Sequence, residues 1–192
     1  MISEAKAKAI EVFDLTGSKA NKKELEGRLK KKQPSLVVLN GHGDDYCVTG
    51  QDENPLVEAG VNADILSGTV TYAVSCDSAT QLGREVGAYP ESTYIGYEKK
   101  FAFVYSHGFF KDPEHDPKAK PFMEFSNQVV RSLIKGHTSE ESVNRAKETG
   151  LSHLRQLTSS TADPDAQMAS AFLWRDISHL VVHGDPEKRS FQ

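Results

Sequence analysis

The chain has 192 residues, a formal charge of −4 at pH 7 and a hydrophobic fraction of 38%, enough for one compact domain with its own core. A pI near 6.0 provides no overall charge for binding DNA, RNA or an anionic membrane, so we expect no nucleic acid or membrane partner. The N-terminal stretch lacks the apolar segment of a secretory leader, and no apolar run approaches the roughly 18 residues of a membrane span. The sequence therefore predicts a single domain over residues 1–192. Its two cysteines form no disulfide-dense pattern, so we expect free thiols and a cytoplasmic location.

Short apolar runs in the first half of the chain predict buried strands. Three of them are bounded by turn residues and are typical of a parallel sheet: Ser35–Asn40, Thr69–Ser75 and Ser92–Tyr97. Weaker runs at Ile10–Leu15 and Phe101–Ser106 predict two further strands, the second at a sheet edge.

The intervals between these strands are long enough for helical crossovers. The stretches "ENPLVEAGVNADILSG" and "SATQLGREVGAYP" are each interpreted as a helix that returns the chain to start the next parallel strand. Strand and helix then alternate, which favours a doubly wound α/β fold.

The second half of the chain is predicted to be mostly helical. Apolar side chains recur at helical spacing from Phe122 to Ile134 and stop at Gly136, a residue typical of helix ends. Thr138 and Glu141 have the spacing of a capping box, so we expect another helix to begin there.

The C-terminal region predicts one more helix and a last strand. The Asp163-Pro164 pair is typical of a helix start, because proline is tolerated at the first helical position. Phe172 and Trp174 on this helix are expected in the core. The closing "HLVVHGDP" predicts a final strand.

The candidate chemistry lies where two predicted strands end. His42 follows the first strand between two glycines, and Cys76 follows a second strand 34 residues later. Since ligands and catalytic groups of open α/β sheets collect at the carboxyl ends of parallel strands, we expect these two side chains to face each other. An imidazole and a helix N-terminus, expected here near Ser78, are the usual means of activating a thiol. The backbone N–H groups of Gly43 and Cys76 are candidate oxyanion donors.

Taken together, the segments "LVVLNGHGDD", "TVTYAVSCDSATQLG", "STYIGY" and the closing "VVHGDP" resemble the caspase-like (clan CD) cysteine peptidases. The resemblance is strongest to bacterial CHAT-domain and gingipain-type proteins. It implies a three-layer α/β/α caspase-like fold with a mostly parallel central sheet. It also implies that His42 is the dyad histidine and Cys76 the nucleophile of peptide-bond hydrolysis, without metal or organic cofactor.

The resemblance further implies a protein substrate and regulation by a partner protein, by homodimerisation or by cleavage in the Phe109–Lys120 loop. The basic residues with which true caspases hold an aspartate are not recognisable in the chain. Asp44, Asp45 and Asp77 flank the dyad instead, and we interpret them as a candidate substrate-binding pocket for a lysine or arginine before the scissile bond. Their alternative role is to cap the helix after Cys76 or to remain solvated.

Other functions remain open from the sequence. The chain could be a catalytically silent caspase-like interaction module, or a cysteine hydrolase of a small amide or ester. A zinc site of His42, Cys47 and Cys76 lacks the usual paired ligand spacing, and no calcium-loop motif is present. Among the other histidines, His107 is interpreted as a surface or hinge residue and His183 as a packed or capping one.

Overall fold

The computed structural model describes residues 1–106, 115–159 and 166–191. Six helices are described: α1 (Ile2–Ala7), α2 (Lys22–Lys32), α3 (Gln81–Ala88), α4 (Lys120–Leu133), α5 (Ser139–Leu157) and α6 (Ala166–His179). Six strands are described as well: β1 (Leu36–Asn40), β2 (Cys47–Thr49), β3 (Pro55–Glu58), β4 (Val70–Val74), β5 (Thr93–Tyr97) and β6 (Leu180–Gly184).

The central sheet has the strand order β1-β4-β5-β6. Strands β1, β4 and β5 are parallel, while β6 pairs antiparallel with β5. The three predicted parallel strands and the final strand are thereby confirmed. Each parallel strand is a short run of apolar residues, as expected where helices cover both faces of a sheet.

Two apolar clusters, one on each face of this sheet, make the protein a three-layer α/β/α structure. On one face, Tyr72 of β4 and Tyr97 of β5 pack with helices α4, α5 and α6. On the other face, Leu39 of β1 and Tyr94 of β5 pack with α2, α3 and the β2–β3 hairpin. Alternate residues of β5 thus point to opposite layers, as the two-residue period of a strand requires. The predicted three-layer α/β/α class with a mostly parallel central sheet is confirmed.

The connection from β1 to β4 differs from the predicted helical crossover. It contains the antiparallel β2–β3 hairpin and a short 3₁₀ turn at Ala63–Leu66. Pro55 begins β3, where a missing N–H is tolerated, and Gly60 takes a positive φ of 71° just after the strand. The Asn62 side chain accepts a hydrogen bond from the N–H of Glu58 and donates one to the carbonyl of Leu56. These turn contacts favour a hairpin over a helix.

Two weaker strand predictions are wrong, because neither segment joins a sheet ladder. Residues 10–15 run without regular structure, with Ile10 and Val12 packed against the core and the Phe13 ring under the cations of Arg28 and Lys32. The 101–106 segment is likewise outside the ladder.

The helix predictions for the second half are confirmed where the chain is described. Helix α5 begins with a capping box in which the Thr138 hydroxyl accepts from the N–H of Glu141 and the Glu141 carboxylate accepts from the N–H of Thr138. The expected start of α6 at Asp163-Pro164 lies outside the described residues, as does the 109–114 part of the charged loop.

The core prediction for the aromatic pair of α6 is half wrong. Phe172 packs against the main apolar cluster, but Trp174 is 54% exposed. Helical geometry separates adjacent residues by about 100°, so two aromatics two positions apart cannot share one buried stripe.

Candidate active site at the ends of β1 and β4

His42 and Cys76 leave the sheet from neighbouring parallel strands. The β1–β4 register pairs Leu36 with Val70 and Asn40 with Val74, a constant offset of 34 residues. The same offset relates His42 to Cys76, and the N–H of Gly41 still donates to the carbonyl of Val74 beyond the last paired residues. The structure therefore brings the backbones of the two predicted dyad residues to the same edge of the sheet, with His42 exposed and Cys76 half-buried.

The two glycines around His42 are required by close packing. A Cβ at Gly41 would meet the carbonyl of Thr49, and a Cβ at Gly43 would meet the Ser75 hydroxyl and, at 2.5 Å, the carbonyl of Cys47. The β2 strand folds back on this loop through a hydrogen bond from the N–H of Thr49 to the carbonyl of His42. Only glycine fits between the hairpin and the end of β4, and this contact fixes the path of the chain through His42.

Both predicted oxyanion donors are available. Within the described parts of the chain, the backbone N–H groups of Gly43 and Cys76 donate to no carbonyl or side chain. The Ser75 hydroxyl lies beside Gly43, is buried, and also lacks a partner among the described residues. An unpaired buried hydroxyl such as that of Ser75 is uncommon, and N–H donors without a protein acceptor are the groups that an oxyanion site uses.

The helix that follows Cys76 starts later than predicted. Helix α3 begins at Gln81 rather than near Ser78, and a turn over residues 77–80 separates it from the thiol. The carbonyl of Asp45 accepts the N–H groups of Gln81 and Leu82 at 3.1 and 3.0 Å. The loop that carries His42 thus occupies the free N–H groups of this helix, and the helix N-terminus serves to join the two loops.

The three predicted substrate-binding acids have different surroundings. The Asp44 carboxylate accepts the N–H groups of Tyr46 and Cys47, and the first of these bonds lowers the pKa of Asp44. The Asp45 carboxylate accepts a hydrogen bond from the Thr80 hydroxyl at 3.1 Å. Two of the three acids therefore already have partners that hold the loops in place.

Asp77 remains the acid with a free carboxylate, since the described residues offer it no hydrogen bond. Its backbone has a φ of 55°, in the left-handed region that is rare for residues other than glycine and is enriched at functional sites. This conformation turns the chain sharply directly after the Cys76 thiol.

The segment after β5, which the sequence did not indicate as part of the site, lies against Cys76. We call residues Lys99–Ser106, which follow β5, the strap. The Cys76 thiol donates to the carbonyl of Phe101 at 3.8 Å, and the N–H of Asp77 lies 3.5 Å from the carbonyl of Lys99. The sequence signal was the position of this segment: it leaves the carboxyl end of β5, the strand next to the cysteine strand.

The second cysteine lies nearby on β2 but in different surroundings. Burial raises the pKa of the Cys47 thiol, and the neighbouring Asp44 carboxylate raises it further. The Cys47 thiol is therefore expected to react slowly with electrophiles at neutral pH, because the thiolate is the nucleophilic form.

An open depression of about 470 Å³ lies beside the His42 loop and the start of α3. Its lining residues are Tyr46, Ala59, Gly60, Gln81, Arg84 and Glu85. The Tyr46 ring is 57% exposed there.

The remaining sequence candidates lie elsewhere. His183 of β6 packs over helix α3, where a Cβ on Gly83 would lie 3.3 Å from its ring, and this confirms the packed role. His107 lies outside the described residues. Within the described ranges, no group of three histidine, cysteine or acidic residues is arranged to hold a metal ion, and no helix is long and apolar enough to cross a membrane.

No protein-family model matches this chain, and no curated protein sequence matches it either.

Proposed function

We propose that the protein is a caspase-like cysteine endopeptidase with Cys76 as nucleophile and His42 as general base. The observation that carries the proposal is the register of β1 and β4, which places His42 and Cys76 at equivalent positions past the ends of adjacent parallel strands. The unpaired N–H groups of Gly43 and Cys76 at the same edge support it.

In the proposed reaction, His42 removes the proton from the Cys76 thiol and the thiolate attacks the carbonyl carbon of the scissile peptide bond. The N–H groups of Gly43 and Cys76 stabilise the resulting oxyanion. His42 then gives its proton to the leaving amine, and a thioester to Cys76 remains. Water activated by His42 hydrolyses this thioester, so the chemistry requires no metal or organic cofactor.

The preference for a basic residue before the scissile bond rests mainly on Asp77. Its carboxylate follows the nucleophile directly and has no hydrogen-bond partner among the described residues, so it is available to a lysine or arginine side chain. Asp44 and Asp45 contribute negative charge and shape the loops. The proposal also includes a protein substrate, a regulatory partner or a second copy of the chain, and a cytoplasmic location.

A second candidate function is a silent caspase-like interaction module. It is favoured by one observation: the Cys76 thiol donates to the carbonyl of Phe101, so the strap shares the space above the proposed nucleophile. In this case alkylation of Cys76 is no faster than that of Cys47, and a His42→Ala substitution leaves both rates unchanged.

Cleavage of a mixed peptide library, read by mass spectrometry, tests the proposed function. The wild type and Cys47→Ala are expected to cleave, with a preference for lysine or arginine before the cut, whereas Cys76→Ala and His42→Ala are expected to be inactive. A preference for aspartate contradicts the role of Asp77. Cleavage that survives in Cys76→Ala contradicts the peptidase mechanism, and absence of cleavage together with equal labelling of both thiols supports the silent module.

A further inference from the structure

Asp176 is a buried carboxyl group for which the proposed reaction has no use. It lies on α6, is 1% exposed, and accepts the backbone N–H of Ala102 on Oδ1 at 3.3 Å. Its Oδ2 has no hydrogen-bond partner among the described residues. Burial of a carboxylate is costly unless the group is paired or neutral, so this residue requires an explanation.

The groups around Asp176 come from three elements. Burial raises the pKa of Asp176 to about 8, while the hydrogen bond from Ala102 and the neighbouring Arg175 of α6 act in the opposite direction. Asp176 in turn helps to raise the pKa values of Tyr72 of β4 and Tyr97 of β5. The two tyrosine hydroxyls bond each other at 3.1 Å. Asp176 is therefore mainly protonated at pH 7.

The strap has other attachments besides Ala102, among them Phe101 and Val104, which pack against the core. None of its residues belongs to a sheet ladder, so its position depends on individual contacts. The ring of Phe101 packs on Tyr97 with centroids 4.9 Å apart, and Asp116 accepts from the N–H and hydroxyl of Ser106 at its far end. The hydrogen bond from the N–H of Ala102 to Asp176 anchors the strap directly after Phe101, whose carbonyl contacts the Cys76 thiol.

We propose that Asp176 is a positioning residue that holds the strap across Cys76. Through the N–H of Ala102 it keeps the carbonyl of Phe101 on the thiol, and so it controls access to the nucleophile. The inference rests on the proposed function for the role of Cys76 as nucleophile, but the contact it concerns is independent of peptide cleavage. Any partner or substrate that lifts the strap would expose the thiol.

The pH dependence of the anchor follows from burial. When the strap lifts, water reaches Asp176 and its pKa returns toward the ordinary value. Because the pKa of Asp176 is higher when the strap is closed, the open state loses its proton first, and a rising pH favours opening until Asp176 is ionised in both states. The strap of the wild type is therefore expected to loosen between about pH 5 and pH 8, whereas an asparagine at this position has no proton to lose.

The test is the iodoacetamide alkylation rate of Cys76 in a Cys47→Ser background, where it is the remaining cysteine. At pH 7, Asp176→Leu removes the acceptor for Ala102 and is expected to raise the rate about fivefold or more. At pH 5, where Asp176 is still mainly protonated, Asp176→Asn keeps an acceptor oxygen and is expected to stay within about twofold of the wild type. Ser178→Ala, an exposed change on the same helix, is the matched control and is expected to leave the rate unchanged.

The ratio of the wild-type rate to the Asp176→Asn rate is expected to rise from pH 5 to pH 8, because titration of the thiol itself cancels in this ratio. A flat ratio, or an Asp176→Leu rate equal to or below that of the wild type, overturns the proposal. Thermal unfolding of each variant excludes general unfolding as the cause, and if Asp176→Leu does not fold, the Asp176→Asn ratio decides alone. Loss of library cleavage with the predicted labelling pattern intact would remove the peptidase function and leave the strap anchor standing.

Discussion

At the scale of single residues, Gly43 shows how a missing side chain shapes the candidate site. The hydroxyl of Ser75 and the carbonyl of Cys47 occupy the space that a Cβ would need. The Cys47 carbonyl is backbone that accepts the N–H of Asp44, so it cannot move without shifting the loop that carries His42. The residue is thus a spacer for the proposed dyad as well as a candidate oxyanion donor.

We predict that Gly43→Ala lowers peptidase activity by about tenfold or more and destabilises the protein by about 1 to 3 kcal/mol, the usual cost of overpacking. Activity on a peptide substrate and unfolding by urea measure the two effects. Gly27→Ala is the matched control, since a Cβ at Gly27 of α2 meets nothing within 4 Å, and it is expected to stabilise the helix by about 1 kcal/mol. Equal behaviour of the two variants would contradict the spacer role.

A second prediction at this scale concerns Cys47, whose pKa is raised by burial and by Asp44. In Cys76→Ala, where Cys47 is the remaining cysteine, alkylation at pH 7 is expected to be slower than that of a free thiol. Because a raised pKa moves thiolate formation to higher pH, the alkylation rate is expected to increase mainly above about pH 9. Asp44→Asn removes the neighbouring charge and is expected to move this increase to lower pH. A rate at pH 7 equal to that of cysteine in an unfolded peptide would show that Cys47 is not shielded.

At the scale of secondary-structure elements, the ends of strands and helices decide what meets at the site. The loop after β1 bonds to the start of α3 through Asp45, and the strap after β5 bonds to Asp77 beside Cys76. Each contact joins elements that are distant in sequence. The β1 side of the site is therefore joined to α3 by backbone hydrogen bonds of Asp45, and the strap side is joined to it by individual polar bonds.

The capping box of α5 gives a prediction for an element remote from the site. Thr138→Ala removes the acceptor for the N–H of Glu141 and is expected to reduce the free energy of unfolding by about 1 kcal/mol. Thr149→Ala, which removes a half-buried hydroxyl that donates to the carbonyl of Arg145 in the same helix, is expected to be neutral or slightly stabilising, because alanine has the higher helix propensity. Chemical denaturation measures both, and an equal loss in the two variants would argue against the cap. Peptidase activity is expected to be unaffected in either case.

At the scale of the whole molecule, the layer formed by α4, α5 and α6 buries a polar cluster against the sheet. Tyr72 bonds Tyr97 and Ser126, and Asp176 lies close to both tyrosines. A fully satisfied buried network stabilises a unique packing, whereas an unpaired carboxyl oxygen reduces stability. Asp176 therefore imposes a cost on the entire fold.

This cost depends on pH. Below about pH 4, Asp176 is neutral in both the folded and the unfolded chain. As pH rises from about 4 to 8, the unfolded chain ionises first and the folded state loses relative stability, on the order of 5 kcal/mol for a pKa of about 8 against an ordinary 3.8. The stability of wild type relative to Asp176→Asn is expected to fall across this range and to level off above pH 8. Urea unfolding at pH 5 and pH 8 measures it, and parallel pH curves would contradict the raised pKa.

Much of this architecture could be predicted from local patterns. The three parallel strands have continuous apolar runs, α5 has its capping box, and the equal spacing of His42 and Cys76 from their strands indicates a common edge. These features depend on residues that are close in sequence, where period and turn chemistry decide the outcome. The failures have other causes: the hairpin at 47–58 depends on turn contacts of Asn62 that compete with a helical pattern, and the strap contains strand-like residues whose course is set by contacts with distant segments.

The sequence by itself determined the α/β class, the parallel strands and the placement of a histidine and a cysteine at strand ends, because each depends on hydrophobic periodicity within a short segment. Only the tertiary structure decided that Asp45 bonds to Thr80 on a distant loop, that Trp174 faces solvent, and that the strap contacts Cys76 through the carbonyl of Phe101 while Ala102 donates to Asp176. The physical reason is that a side chain's partners and its burial are set by packing between distant segments, which no local pattern encodes.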